Sequence, residues 1–198
     1  MARPRTFDEE RALDAAMRVF WEKGYEATST QDLCEATGLG RSSVYNTFHS
    51  KHDLFRRALG RYLDGMTETQ LGVLEDVERP GGERVRALLA LIVQGEAEHR
   101  AAGRILGCLG VNTTVELAAR DTAAAELLAR DTARRLAALR DALAAGQRDG
   151  SVTSAREPGE LARFVNAAVA GIRVSSQGGA DQAALESIAE ITLDAVTR

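Results

Sequence analysis

The run from Gly24 to Phe55, GYEATSTQDLCEATGLGRSSVYNTFHSKHDLF, constrains the chain more than any other feature. It spaces two short helices around a three-residue turn and leads directly into a third. Thr28 and Ser29 precede Gln31 and Asp32 at capping-box spacing, so their hydroxyls satisfy the unpaired N–H groups of a helix running to about Thr37. Gly38 supplies positive φ at the helix end, Leu39 plugs the turn, and Gly40 precedes a second helix carrying Arg41, Ser42, Ser43, Val44, Tyr45, Asn46 and Thr47. Leu33, Ala36, Leu39, Val44 and Phe48 form the expected inward set. The hydroxyl, guanidinium and amide groups are left to face outward.

A short polar helix braced by its neighbour is what the major groove of DNA admits. The motifs GYEATS, D-L, A-T-G-L, S-x-Y-x-x-F and S-K-x-x-L-F, within about the first sixty residues, resemble the N-terminal domain of the TetR family of bacterial transcriptional repressors. The resemblance implies DNA contact through Thr28, Thr30, Arg41, Ser42, Ser43, Tyr45, Asn46, Thr47 and Lys51. One position departs from the pattern: the family usually has a histidine or tyrosine before the last phenylalanine of Y-x-x-F, and this chain has Thr47. A hydroxyl replaces an aromatic phosphate contact there, and the adjacent Asn46 carries an amide suited to pairing bidentately with adenine.

The net charge of −4 argues against nucleic acid only until its distribution is read. Residues 1–60 carry nine Lys and Arg against nine Asp and Glu, so the acidic excess lies beyond them. Between 41 and 57, Arg41, Lys51, Arg56 and Arg57 face Asp53 alone, giving a local tip that can meet phosphates. Hydrophobic residues make up 44% of the 198, charged residues 27%, and there are only three prolines. That composition predicts an all-α chain, and its caps, breakers and apolar periodicity divide it into about nine helices. We expect a helix-turn-helix domain over 1–55 and a helical effector-binding and dimerisation domain over 56–198.

Asp8 opens a first helix that Gly24 stops after Lys23, preceded by an arm with Arg3 and Arg5 that either enters a minor groove or is a disordered terminus. Ser50 caps a long fourth helix. Arg79-Pro80-Gly81-Gly82 breaks the chain before a fifth helix near Glu83; a sixth spans about Gly103 to Ala118, and Asp121 caps an Ala-rich seventh to about Arg148. The last two, about Glu160 to Gln177 and Asp181 to Thr197, combine apolar stripes with small residues such as Ala167, Ala170 and Gly171. In proteins resembling this one the last two helices pair with their twins across a two-fold axis. The expected dimer residues are Leu161, Ala168, Ile172, Leu185, Ile188 and Thr192.

No nucleotide loop, H-E-x-x-H or catalytic constellation occurs, and the histidines are His49, His52 and His99. The reading is therefore no enzyme, no cofactor and no metal site, with Cys34 an inward-packed small hydrophobe. No apolar run approaches the ~20 residues of a membrane span, and no signal peptide is evident, so a cytoplasmic protein is expected. The segment from Gly107 to Leu117 is similar to a branch of the family with G-C-L in its sixth helix, some of whose members sense electrophiles and others respond to copper. Cys108 is either a buried pocket wall or a reactive thiol, with Arg104 one turn away to favour the thiolate. Tyr62, Met66, Leu91, Cys108, Asn112 and Phe164 are the candidate effector contacts. The expected function is a dimeric repressor that binds double-stranded operator DNA and is released by a small molecule. The alternatives are a thiol sensor acting through Cys108 and, from another class, a helical-bundle carrier or enzyme.

Overall fold

The computed structural model describes residues 9–104 and 106–197, and every regular element among them is helical. In chain order these are α1 (Glu9–Ala27), α2 (Thr30–Thr37), α3 (Arg41–Phe48), α4 (Lys51–Leu74), α5 (Gly81–Ala101), α6 (Leu109–Glu116), α7 (Thr122–Asp149), α8 (Pro158–Gln177) and α9 (Gln182–Thr197). The Arg3 and Arg5 arm and the Asp8 helix start lie outside the described residues.

Local chemistry explains most of the helix ends. The Ser29 side chain accepts from the Asp32 N–H while Asp32 accepts from the Ser29 N–H, the reciprocal cap expected at α2. Gly38 ends α2 at φ 68°, and the Ser50 and Asp121 side chains cap α4 and α7. Gly24 acts as a kink instead of a stop: at φ 77° and ψ 174° it redirects the last turn of α1. Thr28 locks that kink. Its Oγ1 donates to the Gly24 carbonyl at 2.6 Å, and the residue is 1% exposed, so Thr28 is neither a cap nor a DNA contact. Ala36, expected to point inward, faces solvent, leaving Leu33 as the buried apolar anchor of α2.

Two segments differ from the sequence expectation for steric reasons. α5 starts at Gly81 because its first turn lies directly on α7: a Cβ on Gly81 would stand 2.2 Å from the Gly146 nitrogen and the Ala142 carbonyl oxygen. Asp149 and Ser151 then accept from the Gly81 and Gly82 N–H groups, at 2.9 and 2.8 Å. α6 is shorter than predicted because Gly103 and Gly107 adopt φ of 70° and 61°, outside the helical range.

The apolar side chains form two clusters. One joins Phe20, Leu33, Val44, Phe48 and Phe55 of the first four helices to Leu109 and Leu117 around α6. The other joins α5, α7, α8 and α9. α4 belongs to both, contributing Leu54 to Leu63 to the first and Leu74 to the second. Its 24 residues make a rod of about 36 Å between them.

The assignment of α8 and α9 requires a correction. Leu161, Ile172, Leu185 and Thr192 are 3, 0, 1 and 3% exposed within the subunit, so these expected dimer residues are core. Each helix carries two apolar stripes, and periodicity does not say which one faces its own domain. The outward stripe holds Phe164, Val174 and Ile191, exposed by 47, 53 and 67%, with Ala167 and Gly171 between them. Ala168 and Ile188 are half-buried at its edge. Phe164 thus belongs to the outer face, where it borders a surface pocket with Leu161 and Ala195, and is not on the wall of the cavity that holds Tyr62, Met66 and Leu91.

Candidate nucleic-acid interface and cavity

Val44 and Phe48, each 1% exposed, anchor α3 to the first core, and this orientation turns Arg41, Ser42, Ser43 and Asn46 out to solvent. Thr47 and Tyr45 are half-buried. The Tyr45 and Thr30 hydroxyls share a hydrogen bond of 2.9 Å, which ties α3 to the start of α2 and sets the pitch of the exposed face. Arg41 stands over the Tyr45 ring at 5.7 Å, and Lys51, at the first turn of α4, holds its ammonium 4.4 Å from the Tyr25 ring. Among the described residues both cations meet rings and no carboxylate, so their charge is not neutralised there. The other members of the basic cluster are used internally. Arg57 pairs with Glu9 at 2.6 Å and covers the Phe48 ring, fastening α4 to α1, while Arg56 lies 3.9 Å from Asp53.

Behind this surface is a cavity of about 590 Å³. α1 contributes Trp21, α4 contributes Tyr62, Met66 and Gln70, α5 contributes Leu91, Glu96 and His99, and α8 contributes Arg173. Tyr62, Met66 and Leu91, three of the residues named from the sequence as candidate effector contacts, line this cavity. Cys108 is 3% exposed and lines a second cavity of about 250 Å³, which shares Met66 and Arg173 with the first. Asn112 is not on the wall of either, because its amide is turned to donate to the Leu106 carbonyl at 3.1 Å.

The guanidinium beside the thiol comes from α8. Arg173 Nη1 donates to Cys108 Sγ at 2.8 Å and to Met66 Sδ at 2.9 Å, whereas Arg104 lies exposed before α6. Burial, and next the negative potential at Cys108, push the Tyr62 hydroxyl well above its usual range. Burial works against the charge of Arg173, but Cys108, Tyr62 and Glu96 outweigh it and raise its pKa. Sequence reasoning missed Arg173, which stands 65 residues from Cys108. Its signal was an arginine within the apolar stripe of α8.

Three long-range contacts connect the cavity region to the helix-turn-helix. Trp21 Nε1 donates to the Gly107 carbonyl at 3.0 Å. The Glu116 carboxylate, on α6, accepts from the Tyr25 and Glu26 N–H groups at 3.1 and 2.8 Å, just past the Gly24 kink. His52 Nε2 meets Asp121 Oδ2 at 2.7 Å, joining the starts of α4 and α7. Among the described residues, no three His, Cys, Asp or Glu side chains gather as metal ligands, and no helix is long and apolar enough to cross a membrane.

Comparison with known proteins agrees with this geometry. Residues 12–58 match the family model for bacterial regulatory proteins of the tetR family, and residues 81–192 match the tetracyclin repressor-like C-terminal domain. The chain is 32% identical over 195 residues to the HTH-type transcriptional repressor ComR of Escherichia coli K12, covering 96% of this chain and 90% of that one. It superposes on a cysteine-substituted form of the TetR family regulator CifR, complexed with 26-base-pair operator DNA, with a TM-score of 0.82 and 30% identity; 98% of this chain and 100% of that one are covered. The reduced form of E. coli NemR shares the fold, with a TM-score of 0.84 and 20% identity over 96% of this chain and 97% of that one. These relatives are regulators and not enzymes, and the matches span both halves of the molecule: the chain belongs to the TetR family of helix-turn-helix transcriptional regulators.

Proposed function

We propose that the protein is a cytoplasmic repressor that binds a palindromic operator as a homodimer and is released when a small molecule occupies the larger cavity. In this reading residues 1–55 carry the operator-reading surface and 56–198 the effector and dimer functions. One observation carries it: the buried pair Val44 and Phe48 and the Tyr45 bond to Thr30 fix α3 so that Arg41, Ser42, Ser43 and Asn46 project together. Arg41 and Asn46 are the base readers, and Lys51 holds the phosphate backbone. The outward stripe of Phe164, Val174 and Ile191 forms the dimer contact. Two recognition helices about 34–36 Å apart then meet successive major grooves.

Release follows from which elements make the cavity. Trp21 belongs to α1 and Arg173 to α8, so a ligand touching both biases the spacing between the helix-turn-helix and the C-terminal helices. A ligand that favours a spacing unsuited to DNA lowers operator affinity by its differential binding energy, about 1–3 kcal/mol in typical coupled systems. The contacts from Glu116 to the Tyr25 and Glu26 backbone are the route on which this bias reaches α2 and α3.

Substitution at the DNA surface tests the assignment. Arg41→Ala and Asn46→Ala are each expected to cost about 1–3 kcal/mol on the cognate site and relax preference at one base pair. Lys51→Ala is expected to weaken binding to every sequence and to lower the salt slope by about one. Equal losses on cognate and random DNA for all three variants would refute the division of roles.

A further inference from the structure

We propose that the larger cavity selects small organic anions, an apolar body bearing a carboxylate, with Arg173 as the counter-charge. This rests on the reading of the cavity as the effector site and names the chemical class of its ligand.

Arg173 is 9% exposed, and its guanidinium carries five N–H donors. Its hydrogen bonds go to the sulfurs of Cys108 and Met66, which are weak acceptors. Glu96 acts on it through space and not through a hydrogen bond. A buried cation satisfied in this way is under-compensated, and an oxygen acceptor in the cavity would complete its coordination. Two further groups on the same wall have no hydrogen-bond partner among the described residues: Gln70 Nε2, on a residue 3% exposed, and His99 Nδ1. An amide N–H and a guanidinium are both donors, so together they call for a ligand rich in acceptor atoms. The lining also includes Met17, Trp21, Leu91 and Ile92, which suit a hydrocarbon body.

Glu96, 6% exposed, is the one acid in this wall among the described residues and pulls the other way. A cationic ligand drawn to it would lie among the donors of Arg173 and Gln70 and be repelled by the guanidinium. A neutral ligand would leave the charge of Arg173 on two sulfurs. A carboxylate answers the larger set of unmet groups. The volume of about 590 Å³ is in the range of sites for small organic molecules.

The test titrates the full-length protein with octanoate, octanamide and octylamine, which share a chain and differ in charge. Trp21 is the only tryptophan and lines the cavity, so its emission reports occupancy. Octanoate is expected to bind about tenfold more tightly than octanamide, and octylamine most weakly, because charge-assisted bonds to a guanidinium exceed neutral ones. Arg173→Met removes that preference while octanamide affinity stays near wild type. Gln70→Leu, which keeps the guanidinium, weakens octanoate several-fold and serves as the test if Arg173→Met does not fold. Octanamide binding as tightly as octanoate, octylamine binding best, or both variants keeping the full preference overturns the proposal. Operator affinity is followed in parallel by anisotropy. Octanoate that binds with the expected preference but leaves operator affinity unchanged refutes the effector reading and leaves the ligand class standing; no change in Trp21 emission with any of the three probes overturns both.

Discussion

Aspartate at Ile191 separates the dimer contact from the fold of the subunit. Ile191 is 67% exposed and shares the outer face of α8 and α9 with Phe164 and Val174. Within one subunit nothing of the core covers it, so the substitution is expected to change subunit stability by no more than about 0.5 kcal/mol. Across a two-fold axis every substitution occurs twice. Burying an isoleucine contributes about 1.5–3 kcal/mol, so two copies lose about 3–6 kcal/mol of association energy. That loss raises the dimer dissociation constant by about two to four orders of magnitude, and two desolvated carboxylates add to it. Ile172 supplies the contrast, being 0% exposed inside the second core, where an unpaired carboxylate is expected to cost more than about 4 kcal/mol of subunit stability. Sedimentation velocity at micromolar concentration and thermal melting by circular dichroism distinguish the two. Ile191→Asp is expected to sediment as a helical monomer with a cooperative melt and poor operator affinity, and Ile172→Asp to lose the melt. An unchanged dimer for Ile191→Asp, or a well-folded monomer for Ile172→Asp, would return the interface to the inward stripe and refute the reasoning.

Three other outcomes are expected. Glu116→Ala strips the acceptor from the Tyr25 and Glu26 N–H groups, at about 1–3 kcal/mol for the less exposed of them; amide exchange there should accelerate and operator affinity fall, and unchanged protection would exclude the link. Gly81→Ala drives a methyl against the Gly146 backbone and is expected to cost at least about 1–3 kcal/mol, whereas Gly60→Ala, where nothing lies within 4 Å, should stabilise by about 0.5–1 kcal/mol; calorimetric midpoints moving together would contradict the steric account. The Ala124 N–H and His52 hold the Asp121 carboxyl below the usual carboxylate range, against the opposing effect of burial. The folded-state value is therefore depressed, so this stabilisation is present above about pH 4 and is lost as pH falls through that range toward the folded value. Urea unfolding at about pH 5 and pH 3 should show a smaller drop for Asp121→Asn than for wild type, and equal drops would remove Asp121 from the acid response.

The Ser29 and Asp32 cap, the Gly38 turn, the Ser50 cap of α4 and the inward pair Val44 and Phe48 were all legible in the sequence. Each is decided within about one helical turn, where side-chain type and backbone geometry suffice. Tyr62 and Met66 also line the cavity, as the stripe of a single amphipathic helix marks residues that face inward. The sequence alone thus determined the recognition unit, the helix order and the helical class. Only the tertiary structure decided that Arg173 reaches Cys108, that Glu116 holds the backbone beyond Gly24, and that Phe164 faces outward while Ile172 faces in. These outcomes depend on how a helix is rotated about its axis against partners 65 or 91 residues away, and a helix with two apolar stripes carries no local preference between the two rotations until those partners are in place.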